Sequence, residues 1–96
     1  VQLEIQSSTP RETVHQLVLA IEGIMQLRKH KIEAHTVFLS DITKNAYVIF
    51  IEFFTATIPA ADFNDVRQEV NLSIIQAMEE LGVKLAAKDL EPVPAV

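Results

Sequence analysis

The chain contains no cysteine. Disulfides, thiol catalysis and cysteine-ligated zinc are therefore excluded, and a reduced compartment is compatible with the count. No glycine precedes Gly23, so the first loop has no glycine-rich stretch. No apolar run reaches the ~20 residues that cross a bilayer. The opening VQLEIQ shows no signal-peptide pattern and no initiator Met, and reads as the start of a piece cut from something longer. Basic residues are scarce: 8 Lys and Arg stand against 13 Asp and Glu, for a net charge of −5. Such a chain lacks the clustered basic surface that phosphate neutralisation needs, which argues against a nucleic-acid partner. What is present is globular. The 96 residues are 49% hydrophobic and 22% charged, enough for one domain around one core.

Residues 1–6 alternate, with Leu3 and Ile5 on one side and Gln2, Glu4 and Gln6 on the other, which predicts a half-buried strand. Thr9-Pro10-Arg11-Glu12 reads as a helix start, with the Thr9 hydroxyl as cap, Pro10 in the first helical position and Glu12 completing a capping box. Val14, Leu17, Val18, Ile21, Ile24 and Met25 then recur at helical spacing. The end is expected near residues 27–30, where Arg28, Lys29 and Lys31 suit the carbonyl end of the dipole. Residues 35–42, HTVFLSDI, and 46–57 predict two strands joined by the polar turn Thr43-Lys44-Asn45. Asp62 is the expected cap of a second helix, whose core stripe is Phe63, Val66, Val70, Ile74, Ala77, Met78 and Leu81, with Leu72 pointing away. Gly82 fits the left-handed stop, and VKLAA over 83–87 predicts a short fourth strand.

The order β-α-β-β-α-β defines an α+β, ferredoxin-like fold: a four-stranded antiparallel sheet, strands one and three central, two helices on one side. The domain is expected over residues 1–87, with 88–96 as a tail or connector carrying Pro92 and Pro94.

The stretch AYVIFIEFFTA, residues 46–56, breaks the rule that a strand on the wall of a small domain is polar towards water. Alternation separates Tyr47, Ile49, Ile51 and Phe53 from Val48, Phe50, Glu52 and Phe54. The set holding Glu52 is assigned to the side away from the helices, because an unpaired carboxylate in a helix-covered core costs several kcal/mol. Val48, Phe50 and Phe54, joined by Phe38 on the neighbouring strand, then form an exposed apolar patch of the size at which interaction sites arise. Phe38, Val48, Phe50, Glu52 and Phe54 are the candidate interface. Another protein surface, the C-terminal tail folded back, an inverted alternation and a small-molecule pocket all remain open as explanations.

Signals for chemistry are weak. His15, His30 and His35 have no metal-ligand spacing and no completing carboxylate, so no metal is expected. Ser7 to Arg11 offers amides and a cation to an anion, yet capping alone accounts for Thr9, Pro10 and Glu12. The phosphate loop of acylphosphatases, which share this order of elements, is absent. The acidic pairs Glu79/Glu80 and Asp62/Asp65 fall on a solvated side or at a cap, whereas a working acid and base pair needs a cleft. No nucleophile elbow surrounds a serine. The basic-aromatic motif of RNA-recognition domains and the cysteine pair of metallochaperones are also missing. No enzyme and no cofactor is expected.

Three stretches together carry a resemblance. They are Val37-Phe38-Leu39-Ser40-Asp41-Ile42 before the turn, Glu52-Phe53-Phe54-Thr55 closing the long strand, and the second helix from Asp62-Phe63 through Val66-Arg67-Gln68-Glu69-Val70-Asn71-Leu72 to Leu81-Gly82-Val83. With Thr9-Pro10 opening the first helix, the pattern over roughly residues 3–85 resembles the C-terminal cytoplasmic α/β domain of small-conductance mechanosensitive channels. The sequence departs from that family after the final strand begins: Val83-Lys84-Leu85-Ala86-Ala87-Lys88 stands where members commonly carry proline-phenylalanine-proline.

The resemblance implies a cytoplasmic assembly domain of a channel-like protein of the bacterial inner membrane. It would help form a chamber below an ion-permeable pore, and reach the membrane only through segments outside this sequence. It implies self-association, a heptamer in that family, and contact with adjacent domains of the parent protein, and it supplies no catalytic residues. The rival reading is a soluble regulatory module of the same fold that binds a small metabolite.

Overall fold

The computed structural model describes residues 1–86. Its elements run β1 Gln2–Gln6, α1 Arg11–Gln26, β2 Ile32–Ile42, β3 Ala46–Thr55 and α2 Ala60–Leu81. The sheet order is β1-β3-β2, and both pairings are antiparallel. The α+β class and the β-α-β-β-α order follow the sequence reading. Of the expected four-stranded sheet, the described residues form three strands; the segment expected as the fourth, over 83–87, shows an isolated bridge between Leu85 and Ile5, and its residue 87 lies outside the described residues. The Gln6 amide donates to the Lys84 carbonyl at 3.0 Å and the Ala86 amide to the Glu4 carbonyl at 3.0 Å, so the segment does run antiparallel along β1. Val83 is buried and Leu85 is 59% exposed, so among the described residues Val83 is the side chain that anchors the segment to the core. Among the described residues strand β3 is therefore central, and β1 has a full strand neighbour on one side. The tail expected over 88–96 lies outside the described residues.

The two helix stripes pack as their spacing requires. Val14, Leu17, Ile21, Ile24 and Met25 of α1 are buried, as are Val66, Val70, Ile74, Ala77 and Met78 of α2. They close over Ile5, Ile49 and Ile51 of the sheet to form one core. Val18, Phe53 and Leu81 are half-buried against it. Leu72 points outward, 58% exposed.

Both helix starts differ from expectation. Pro10, extended at ψ 149°, takes the N-cap position itself, and no side chain caps α1. The Thr9 hydroxyl instead donates to the Gln6 carbonyl at 2.7 Å, and the Thr9 amide donates to the same oxygen at 3.1 Å. Closing the tight turn after β1 consumes the group that a capping box would use. Pro59 likewise precedes α2 as its N-cap, leaving Asp62 inside the first turn. There it acts on the positive end of the dipole as a charge rather than as a cap. Gly82 does stop α2, at φ 71°, with the Val83 amide donating to the Met78 carbonyl at 2.8 Å in the Schellman pattern.

Two polar links fasten the layers. Arg28, just past the end of α1, donates to the Ile24 carbonyl at 3.1 Å and to Ser73 Oγ on α2 at 3.0 Å. Its Nε lies 3.4 Å from Glu69 Oε1, and Lys31 Nζ lies 3.9 Å from Glu69 Oε2. On the other helix flank, His35 Nε2 of β2 sits 2.7 Å from Glu22 Oε1 of α1.

Candidate interaction surface

Pairing fixes which side chains share a side of the sheet. Ile49 pairs with Leu3 and Leu39, and Ile51 with Val37, on the helix-covered side, where Phe53 also stacks on Phe63 of α2 at 5.8 Å between ring centres. Phe50 pairs with Phe38 and Gln2, Glu52 with Thr36, and Phe54 with Ala34, on the opposite side. The alternation assigned from Glu52 is the one the molecule adopts.

The helix-free side carries the candidate residues in a row along β3, with one more on β2. Phe38 and Phe50 lie 5.5 Å apart between ring centres, their planes tilted by 47°. Phe38 is 47% exposed and Phe54 54%, while Phe50 is half-buried between its two neighbouring strands. Glu52 is exposed and forms no ion pair among the described residues. Val48 behaves differently. It shares that side but is 7% exposed, with its carbonyl accepting a hydrogen bond from Ser40 Oγ at 3.2 Å. It forms the floor beneath the patch rather than contact surface. Ser40 takes this position because the β2 register shifts between Leu39 and Asp41. A single row of alternating letters cannot announce such a bulge.

A second apolar region escaped the sequence reading. Leu39 pairs with Ile49 and Ile42 with Tyr47, which places both on the helix-covered side. Yet Leu39 is 41% exposed and Ile42 67%. The hairpin end reaches beyond the cover that α1 gives. The result is a groove of about 540 Å3 in which Leu39, Ile42 and Tyr47 face Val18, with Arg11 and His15 on the α1 side. The legible signal was the length of β2 against the start of α1. Strand alternation puts Leu39 in the core but Ile42, three residues on, on the other side; the register shift past Ser40 brings them together.

The remaining candidates for chemistry stay apart. Among the described residues no three His, Asp or Glu side chains gather where a metal would sit. His15 and His30 are exposed, and His35 is engaged with Glu22. Glu80 accepts from Gln76 Nε2 at 3.2 Å on an exposed helix surface, and Asp62 and Asp65 are likewise exposed. No described helix is long and apolar enough to cross a membrane.

These features define a small α+β domain whose distinctive surface is exposed apolar area. Residues 5–85 match the family model described as mechanosensitive ion channel MscS, C-terminal, and the chain belongs to that family. It is a family of channel domains, and the chain is not an enzyme. No curated protein matches the chain.

Proposed function

We propose that the domain is a packing element of a mechanosensitive-channel-like membrane protein. Several copies surround an ion-permeable chamber on the cytoplasmic side of a bacterial inner membrane, a heptamer by analogy with the family. Attachment to the bilayer and contacts with adjacent domains come through parts of the parent protein outside this sequence. The acidic surface is exposed to cytosolic ions.

The observation that carries this reading is the aromatic side of the sheet. An antiparallel sheet with one solvated side carries polar residues there. Here Phe38 and Phe54 are each about half exposed beside Phe50. Contiguous apolar area of this kind marks contact surface. The test is Phe50→Asp and Phe54→Asp, followed by sedimentation equilibrium over rising concentration. Both changes should lower the average mass while circular dichroism stays native. An unchanged mass with an intact fold counts against the proposal.

The groove of about 540 Å3 supports a second reading, a metabolite-binding regulatory module, because its volume falls in the range of small-molecule sites. A ligand that binds only the folded state must raise the melting temperature. A metabolite doing so, with no change in mass on Phe54→Asp, would favour the module.

A further inference from the structure

We infer that the contact between copies is head-to-tail: the Glu52–Phe54 end of the aromatic sheet side of one copy seats in the Arg11–Ile42 groove of the next. This rests on the assembly reading above and adds which surface meets which.

Three observations combine. Among the described residues the groove is incomplete, because Leu39 and Ile42 belong by register to the helix-covered side yet stay 41% and 67% exposed. The chain's own helices leave them uncovered. Charge then selects the occupant. In a molecule of net charge −5, the groove is lined by Arg11 and His15 with no carboxylate. Arg11 makes no ion pair among the described residues. The helix-free side offers the complement: exposed Glu52, unpaired among the described residues, two positions from exposed Phe54 on the same side of β3. A ring to fill the apolar gap and a carboxylate to meet the guanidinium stand next to each other.

The third observation is placement. Ile42 pairs with Tyr47 at the start of β3, and Phe54 lies seven residues further along it. At ~3.3 Å per residue, groove and aromatic end are roughly 23 Å apart along β3, with Phe38 of the aromatic side also bordering the groove. A contact joining two different patches is heterologous, and successive copies then build a ring or a filament rather than a closed pair. A chamber wall made of several copies needs that kind of contact.

The absence of cysteine gives the experiment a clean background. Phe54→Cys and Ile42→Cys chains are prepared separately, mixed and oxidised under mild conditions. The expected result is a disulfide dimer in the mixture and none from either chain alone. The doubly substituted chain should give a ladder of covalent oligomers, since ~23 Å is far beyond the ~7 Å Cα separation that a disulfide spans within one copy. Glu52→Arg or Arg11→Glu should each weaken association about five- to tenfold, and the chain carrying both should recover most of it. If Phe54→Cys crosslinks with itself, the aromatic sides meet each other. That overturns the head-to-tail contact and leaves the assembly reading standing. If mass rises with concentration but no pair crosslinks, the contact again falls alone. If the chain stays monomeric at millimolar concentration and no pair crosslinks, both fall.

Discussion

Replacing Ile49 by Ala and Phe54 by Ala separates the two sides of β3 by their energetics. Ile49 is 0% exposed and sits on the central strand against Leu3, Leu39 and the helix stripes. Truncation removes three carbons, worth ~0.8 kcal/mol each in transfer, or ~2.4 kcal/mol. The cavity that the close-packed core cannot refill adds to this, so the total loss is about 3–4 kcal/mol. A chain of this length is stable by ~5–14 kcal/mol, so the substitution removes a large fraction and lowers the melting temperature by roughly 15–25 °C. Phe54 is the larger side chain, yet it is 54% exposed. Its removal should cost less than ~1 kcal/mol in dilute solution. Urea unfolding followed by circular dichroism, with equal slopes for the two variants, measures both. Repeating it at high concentration adds a second readout, because association stabilises the folded state by mass action. The wild-type midpoint should rise with concentration, and the Phe54→Ala midpoint should not. A Phe54→Ala chain as destabilised as Ile49→Ala when dilute would mean that the aromatic side is already packed within one copy, and the reasoning would fail.

Arg28→Ala removes the donors to the Ile24 carbonyl and Ser73 Oγ and the approach to Glu69, and should cost about 1–2 kcal/mol in the same unfolding assay. Arg28→Lys should recover little, because an ammonium cannot hold several partners in the fixed fork of a guanidinium. The two glycines should respond with opposite signs. Gly23→Ala, in the α1 interior with nothing within 4 Å of the added carbon, should stabilise by about 0.5–1 kcal/mol. Gly82→Ala, in equally open space but at φ 71°, should destabilise by about 1 kcal/mol, and the difference between their melting temperatures checks both.

The exposed aromatic side of the sheet was legible in part because of one residue. Glu52 decided the alternation of β3, since burying its charge under helices is too costly, and the observed register agrees. Phe38, Phe50 and Phe54 follow from that choice, Phe38 by its pairing with Phe50. Val48 shares their side but not their exposure. Burial there depends on how neighbouring strands crowd the backbone, which alternation does not encode. The groove was missed for a related reason: strict alternation separates Leu39 from Ile42, the register shift past Ser40 brings them to one side, and the position of α1 leaves both open.

Local chemistry also reads differently once neighbours compete for it. Thr9 and Asp62 carry capping side chains, but Pro10 and Pro59 occupy the cap positions, and the Thr9 hydroxyl closes a turn with Gln6. Gly82 kept its expected role because no other residue type adopts its left-handed conformation so cheaply.

By itself the sequence determined the helix stripes, the order of elements, the stop at Gly82 and the side of the sheet on which Glu52 stands. Each of these depends on residues close together in the chain or on a charge that must stay wet. Tertiary structure alone decided that Leu85 bridges to Ile5, that β2 slips past Ser40, and that the hairpin outruns its helix. Those outcomes depend on how much surface distant segments bury against each other, and no local pattern carries that sum.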